Sequence, residues 1–235
     1  MQFSVNPEVF EHLETACVGV VVARGLDNTM ANPVIDRLRM DSIRRFIERL
    51  RCGTARQAPE IAPYREAFHR LGFDPDHFSP SIETLACRVE KGRGVPSINP
   101  ATDLGNAISL RHFVPLSAYD LGSSDAEADV CIRLATPTDR FLPFGQEDLE
   151  DVTQGEVIYT LGDCVKTRRW LWRQSPIGKV TENSRNVFFP IDGFSDHNLD
   201  RILAARDHLA RILQEQLACE VVVGLVDQDH PLFEA

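Results

Sequence analysis

The sequence has no closely spaced cysteine pairs and no long apolar run. Its six cysteines stand at least 33 residues apart and form no C-x-x-C pair, which argues against a zinc site of the usual spacing. Its longest apolar run, residues 16–23, has eight residues, whereas a membrane-spanning helix needs about 20. We therefore expect a cytoplasmic protein with reduced cysteines, no membrane segment, no metal and no cofactor.

Two common catalytic motifs are also missing. No G-K-[ST] follows Gly92 and Gly94, and no G-x-S-x-G occurs, so neither a phosphate-binding loop nor a nucleophile elbow is predicted. The composition is that of an ordinary globular protein, with 43% hydrophobic and 26% charged residues among 235. A chain of this length buries about 70% of its unfolded surface, so it needs no metal or disulfide to fold.

Positive charge is scarce overall, yet it is concentrated in one place. The net charge of −10 argues against a protein that coats nucleic acid, because phosphate binding needs clustered cations. Residues 163–185, however, carry six bases and two acids, a net charge of +4. They lie between residues 123–162, at −7, and residues 186–235, at −6. The sequence therefore predicts one local basic site, rich in arginine, which favours bidentate and stacked contacts.

Hydrophobic periodicity places most helices before most strands, which indicates an α+β fold. The predicted helices cover about residues 7–14, 33–51, 63–71, 79–91, 101–111 and 196–217. The predicted strands cover about residues 3–5, 18–23, 118–121, 130–134, 156–159, 187–189 and 220–227. No repeat or evident linker interrupts this order, so we expect a single domain over residues 1–235.

Three polar residues stand out around the predicted helix 101–111. Asn99 precedes a proline, so its backbone is extended and its amide can point outward. Asp103 and Asn106 are three residues apart and share one helical face. One interpretation is a wall that recognises a small molecule or a ribose. The alternative is a helix cap with buried polar struts.

Both tryptophans lie in the basic segment, interleaved with its cations. The residues concerned are Lys166, Arg168, Arg169, Trp170, Trp172 and Arg173. If the segment is one extended strand, both tryptophans share a face. Arginine beside tryptophan offers a phosphate contact next to a stacking surface, as at single-stranded RNA ends. Alternatively, the tryptophans fill the core and the arginines pair with residues 123–162.

Glu156 leads an apolar strand and has two interpretations. Facing a pocket, its pKa would rise with burial towards that of a general base. Otherwise it would pair with a nearby arginine.

Several motifs in a fixed order resemble the B3/B4 domain of the phenylalanyl-tRNA synthetase beta subunit, and more closely the free-standing proteins built from that domain. Over about residues 55–215 the matching motifs include Tyr64-Arg65-Glu66, Ser81-Ile82-Glu83-Thr84, Asn99-Pro100, Asp103, Asn106, Tyr119-Asp120, Ile132-Arg133, Gly155-Glu156-Val157 and Arg168-Arg169-Trp170. The resemblance implies mixed and antiparallel sheets flanked by helices, with a pocket between two subdomains.

In the synthetase this module hydrolyses the ester of a wrong amino acid on tRNA. The resemblance therefore implies a tRNA-interacting protein that deacylates mischarged aminoacyl-tRNA in trans, with the tRNA 3′ end and the amino acid as partners. We do not expect a complete ligase, since the chain has no room for the synthetase's aminoacylation core. The oligomeric state is left open.

The resemblance and the residue chemistry together nominate a site. Glu156 and Asp103 are the predicted catalytic residues, and Glu156 would hold a water or the α-amino group. The predicted substrate-binding residues are Glu83, Asn99, Asn106 and Asn186, and the predicted tRNA-binding residues are Lys166, Arg168, Arg169, Trp170, Trp172 and Arg173.

Departures from the family pattern at Thr102 and Ser184, together with the net charge, favour an alternative. It is a non-catalytic module that binds an amino acid or a small metabolite on the same fold. A third interpretation is a structural domain that has kept the fold without a site.

Overall fold

Two β-sheets and a group of helices build the protein in a computed structural model that describes residues 1–29, 31–50, 53–122 and 129–235. The helices of these residues are α1 (Pro7–His12), α2 (Pro33–Arg49), α3 (Ala62–Arg70), α4 (Ser81–Glu90), α5 (Pro100–His112) and α6 (Leu199–Leu217). The strands are β1 (Gln2–Val5), β2 (Ala16–Arg24), β3 (Tyr119–Asp120), β4 (Asp129–Leu134), β5 (Arg140–Phe141), β6 (Glu150–Asp151), β7 (Val157–Leu161), β8 (Cys164–Arg168), β9 (Arg173–Gln174), β10 (Val187–Phe194), β11 (Glu220–Val226) and β12 (Leu232–Glu234). The predicted α+β class is confirmed.

The strands form two principal sheets. The larger has the order β12-β1-β4-β7-β8-β9, and its β1–β4 pair is parallel while its other pairs are antiparallel. The smaller has the order β11-β2-β10-β3 and is antiparallel throughout. Strands β5 and β6 form a separate short pair. The basic segment, residues 163–185, therefore supplies the last two strands at one edge of the larger sheet, and β9 is the edge strand.

Strand β2 shows why the two sheets and the helices share one interior. Val18, Val20 and Val22 belong to the cluster that joins the two sheets. Val21 and Ala23, which point the other way, belong to the cluster formed with α5 and α6. Because both faces are covered, the strand is apolar along its length rather than alternating.

Local sequence signals locate the helix starts well. The Asn32 side chain accepts hydrogen bonds from the amides of Val34 (2.9 Å) and Ile35 (3.2 Å), and Pro33 occupies the first turn of α2. The predicted end of this helix at residue 51 lies outside the described residues. No helix in the described part of the chain is both long and apolar enough to span a bilayer.

The structure differs from the sequence analysis at two strands: the condition posed for the basic segment is not met, and one predicted strand end is wrong. Residues 164–175 are not one extended strand, because β8 and β9 are antiparallel partners joined by a turn in which Arg169 (φ 47°) and Trp170 (φ 56°) are left-handed. Strand β10 does not stop before Pro190 but runs to Phe194. On one side of β10, β3 pairs only with Val187 and Phe188. Pro190 therefore has no continuous strand partner on that side, and its carbonyl oxygen accepts a hydrogen bond there instead.

Candidate functional site

A cavity of about 610 Å³ lies between α4, α5 and the β8–β9 hairpin. Its lining residues are Ser81, Thr84, Leu85 and Arg88 from α4; Val95, Pro96 and Ile98 from the following loop; Thr102, Gly105, Asn106 and Ser109 from α5; Leu116, Ser117, Ala118, Phe144, Lys179 and Val180 from loops; and Thr167, Leu171, Trp172, Arg173 and Gln174 from the hairpin. This volume suits a small-molecule ligand, for which pockets run from about 300 to 1,000 Å³.

The lining combines an apolar wall, several hydroxyls and three cations. The cations are Arg88, Arg173 and Lys179. None of the lining residues that the structure describes is a carboxylate, an imidazole or a thiol. Within the described ranges, no three metal-ligating side chains come together. The cavity is therefore equipped to bind an anion and to donate and accept hydrogen bonds, without an acidic or imidazole base in its wall.

Three of the predicted site residues line the cavity: Asn106, Trp172 and Arg173. The guanidinium of Arg173 lies 4.4 Å from the ring centre of Trp172. The Arg169 guanidinium lies 4.5 Å from the same ring centre, and Phe78 packs edge-on against the indole, with ring centres 5.1 Å apart. The half-buried indole therefore supports two guanidiniums, and the plane of the Arg173 guanidinium is the surface at the cavity that can receive a base next to a phosphate.

Asn99 and Asp103 stand behind the wall rather than in it. Asn99 is buried and caps α5, since its side-chain oxygen accepts from the Thr102 amide at 3.0 Å, while its amide donates to the Val180 carbonyl at 3.2 Å. Asp103 accepts from the Ser97 hydroxyl at 2.5 Å and from the Ile98 amide at 2.8 Å. Both residues hold loops that line the cavity, which matches the interpretation as a cap and buried struts.

The structure gives Glu156 a different place from the predicted general base. Its side chain is fully buried and accepts from Arg168 at two atoms, Nε at 3.0 Å and Nη2 at 2.9 Å. It also accepts from the backbone amide of Arg169 at 2.8 Å. It is not among the lining residues. These three hydrogen bonds tie the Glu156 carboxylate to the start of the left-handed turn. Glu156 therefore acts as a clamp on the hairpin and does not lie in the cavity as a base would.

Internal contacts also occupy three of the predicted tRNA-binding side chains, those of Arg168, Arg169 and Trp170. Arg168 is 5% exposed and also contacts Glu150. The Arg169 guanidinium lies over the rings of Phe78 (3.9 Å) and Trp172 (4.5 Å), and burial lowers its pKa. Trp170 is 2% exposed, so no base can stack on it in this structure.

The remaining predicted residues make internal contacts. Lys166 is buried, donates to the Ile177 carbonyl at 3.3 Å, and has its pKa lowered by that burial. Glu83 is 1% exposed and pairs with Arg65 and Arg56 at the start of α4. Asn186 accepts from the Gly25 amide and donates to the Gly122 carbonyl, so it joins two loops. None of the three lines the cavity.

One buried acid was missed by sequence reasoning. Asp192 accepts from the Tyr159 hydroxyl at 2.5 Å and the Trp170 indole at 3.0 Å, while its Oδ2 has no partner in the described part of the structure. Burial raises its pKa to about 7. The available signal was a single acid inside the apolar run of residues 187–194. The acid thus contacts the turn at Trp170, as Glu156 contacts it at Arg169.

Comparison with known proteins relates the chain to a protein family and to solved structures. A protein-family model described as the B3/4 domain matches residues 63–211, a range that includes α4, α5 and the β8–β9 hairpin. A crystal structure of an N-terminal fragment of the phenylalanyl-tRNA synthetase beta-subunit from Pyrococcus horikoshii is similar at a TM-score of 0.40 and 16% identity. That similarity covers 52% of this chain and 41% of the fragment, so the chain spans less than half of the fragment's length. No curated protein matches the chain.

Proposed function

The chain belongs to the B3/4 domain family, and we propose that it binds the aminoacylated 3′ end of a tRNA in the cavity and hydrolyses the aminoacyl ester in trans. The observation that supports this proposal is a cavity of about 610 Å³ lined by three cations, one of which, Arg173, is held over the Trp172 ring. An RNA end presents a base, which can stack on a guanidinium plane, and phosphates, which the cations can neutralise.

The chemistry requires little from the protein because an aminoacyl ester is already activated. A water attacks the ester carbonyl and the bond between the carbonyl carbon and the ribose oxygen breaks. Solvent carries one proton of the water to the ribose oxygen, which leaves as the hydroxyl of the RNA, and takes up the other when the amino acid is released as its carboxylate. Hydroxyls such as those of Ser81 and Thr84 and the amide of Asn106 can orient this water and the carbonyl, since all three lie in the wall. Asp103 contributes indirectly, by holding the loop that carries Ile98.

The test is deacylation of a panel of mischarged aminoacyl-tRNAs by the purified protein. We expect release above the buffer rate for at least one of them, reduced about tenfold or more by Asn106→Ala. The matched control is Asn183→Ala, an exposed asparagine that does not line the cavity. Rates equal to buffer for every tRNA would refute the hydrolytic proposal.

The absence of any acid, imidazole or thiol among the described lining residues favours a second candidate, a module that binds without catalysis. Its ligand would stabilise the protein against heat, because a ligand that binds only the folded state raises the apparent stability. Heat stabilisation by a small metabolite, with no deacylation and no salt-dependent retention of tRNA, would favour this candidate.

A further inference from the structure

We infer that the cavity selects its ligand through a phosphate group, bound by Arg88, Arg173 and Lys179, and that its described wall offers no carboxylate to pair with an α-ammonium group. This inference rests on the proposed function and names the chemistry that the site recognises.

The first argument is that no carboxylate of the described residues neutralises these cations. Arg65, Arg133 and Arg168, by contrast, each hold a buried carboxylate. Arg88, Arg173 and Lys179 make no ion pair with a carboxylate of the described residues. In a protein of net charge −10, three cations with no such partner around one cavity form a local positive field that attracts an anion.

The second argument is that two of these cations are held in place with donors to spare. Arg88 uses its Nε to donate to the Gly94 carbonyl at 3.0 Å, which leaves its terminal nitrogens available. Arg173 is supported by the face of Trp172. A guanidinium that is already positioned loses less conformational entropy when it binds phosphate, and its planar fork matches two phosphate oxygens.

The third argument concerns what the wall does not provide. A free amino acid is a zwitterion: its single carboxylate can meet these cations, but its ammonium group finds no carboxylate among the described lining residues. Like charges brought together in a partly enclosed site repel each other more than in bulk water. An aminoacyl-tRNA carries the same ammonium group but adds a base and phosphates, so its attraction to the cavity should come from its RNA end, and a free amino acid, which has neither, should bind weakly.

Calorimetric titration with adenosine 5′-monophosphate, adenosine and L-tyrosine tests the inference. We expect the monophosphate to bind at least tenfold more tightly than adenosine, and L-tyrosine to bind more weakly than either. The double variant Arg173→Gln/Lys179→Gln should remove the advantage of the monophosphate and leave adenosine unchanged. The control Arg70→Gln changes an exposed arginine outside the cavity and should retain that advantage.

Equal affinity for adenosine and its monophosphate, or tighter binding of L-tyrosine, would overturn the inference. A trinucleotide ending in CCA distinguishes the two sources of phosphate: tenfold tighter binding than the monophosphate assigns the site to an RNA end, and equal binding assigns it to a free nucleotide. These titrations contain no aminoacyl-tRNA. Monophosphate binding without deacylation therefore refutes only the proposed function, and deacylation without a phosphate preference refutes only the inference.

Discussion

Arg168 and Arg173 are direct partners across the β8–β9 hairpin, yet their environments are opposite. Arg168 is 5% exposed and binds Glu156 through two nitrogens, whereas Arg173 is exposed and lines the cavity. The first belongs to a buried ion-pair cluster and the second to a site open to ligands. The positive charge of residues 163–185 is thus divided: part of it neutralises the acidic segment before it, and part remains available. Net charge by segment cannot show this division.

The largest effect is expected on the buried side of this comparison. Glu156→Ala should lower the free energy of unfolding by about 3–5 kcal/mol, because it leaves Arg168 buried without its carboxylate. Urea denaturation measures the change. The matched control is Asp151→Ala, a carboxylate of the same acidic segment that is 86% exposed in its pair with Arg140, and its effect should stay below about 0.5 kcal/mol. A loss below about 1 kcal/mol for Glu156→Ala would contradict the clamp role.

The second effect concerns Asp192, which accepts a hydrogen bond from Trp170 in the same turn. Its folded pKa of about 7 lies above the unfolded value of 3.8, so the folded state binds the proton more tightly. Its contribution to stability is therefore full below about pH 4 and is lost as the pH rises to about 7, by an amount on the order of 4 kcal/mol. Urea denaturation from pH 4 to 8 measures this slope.

Comparison with Asp192→Asn isolates that contribution. His112 contacts His208, and burial lowers its pKa from 6.5 to about 4, so its contribution has the opposite sign and increases as the pH rises from about 4 to 6.5. The histidine contribution is present in both proteins and cancels in the difference. A difference between wild type and variant that does not change with pH would show that Asp192 titrates normally.

The smallest effect on stability, and the largest on binding, is expected on the cavity side. Arg173→Gln should change the free energy of unfolding by less than about 0.5 kcal/mol, since no ion pair of the described residues is lost. It should weaken tRNA binding and reduce the slope of log affinity against log salt by about 1. Filter binding at several salt concentrations measures that slope, with Arg70→Gln as the control. A large loss of stability would mean that Arg173, like Arg168, contributes mainly to the stability of the fold.

Much of the fold was predictable because its signals are local. Asn32 with Pro33 starts α2, and Asn99 with Pro100 starts α5, because a side-chain oxygen can accept from nearby amides and a proline suits the first turn. The left-handed turn at Arg169 was not predictable, since neither that residue nor Trp170 favours such a conformation by itself. Contacts from Glu156 and Asp192, distant in sequence, hold it.

The sequence by itself determined the α+β class, most element positions, the resemblance to a known domain and the concentration of cations in one segment. The tertiary structure decided which of those cations can meet a ligand. Periodicity and capping act over a few residues and can be recognised in the sequence, whereas ion pairing depends on which carboxylate the fold brings within reach. Glu156 reaches Arg168 across neighbouring strands and leaves Arg173 to the cavity.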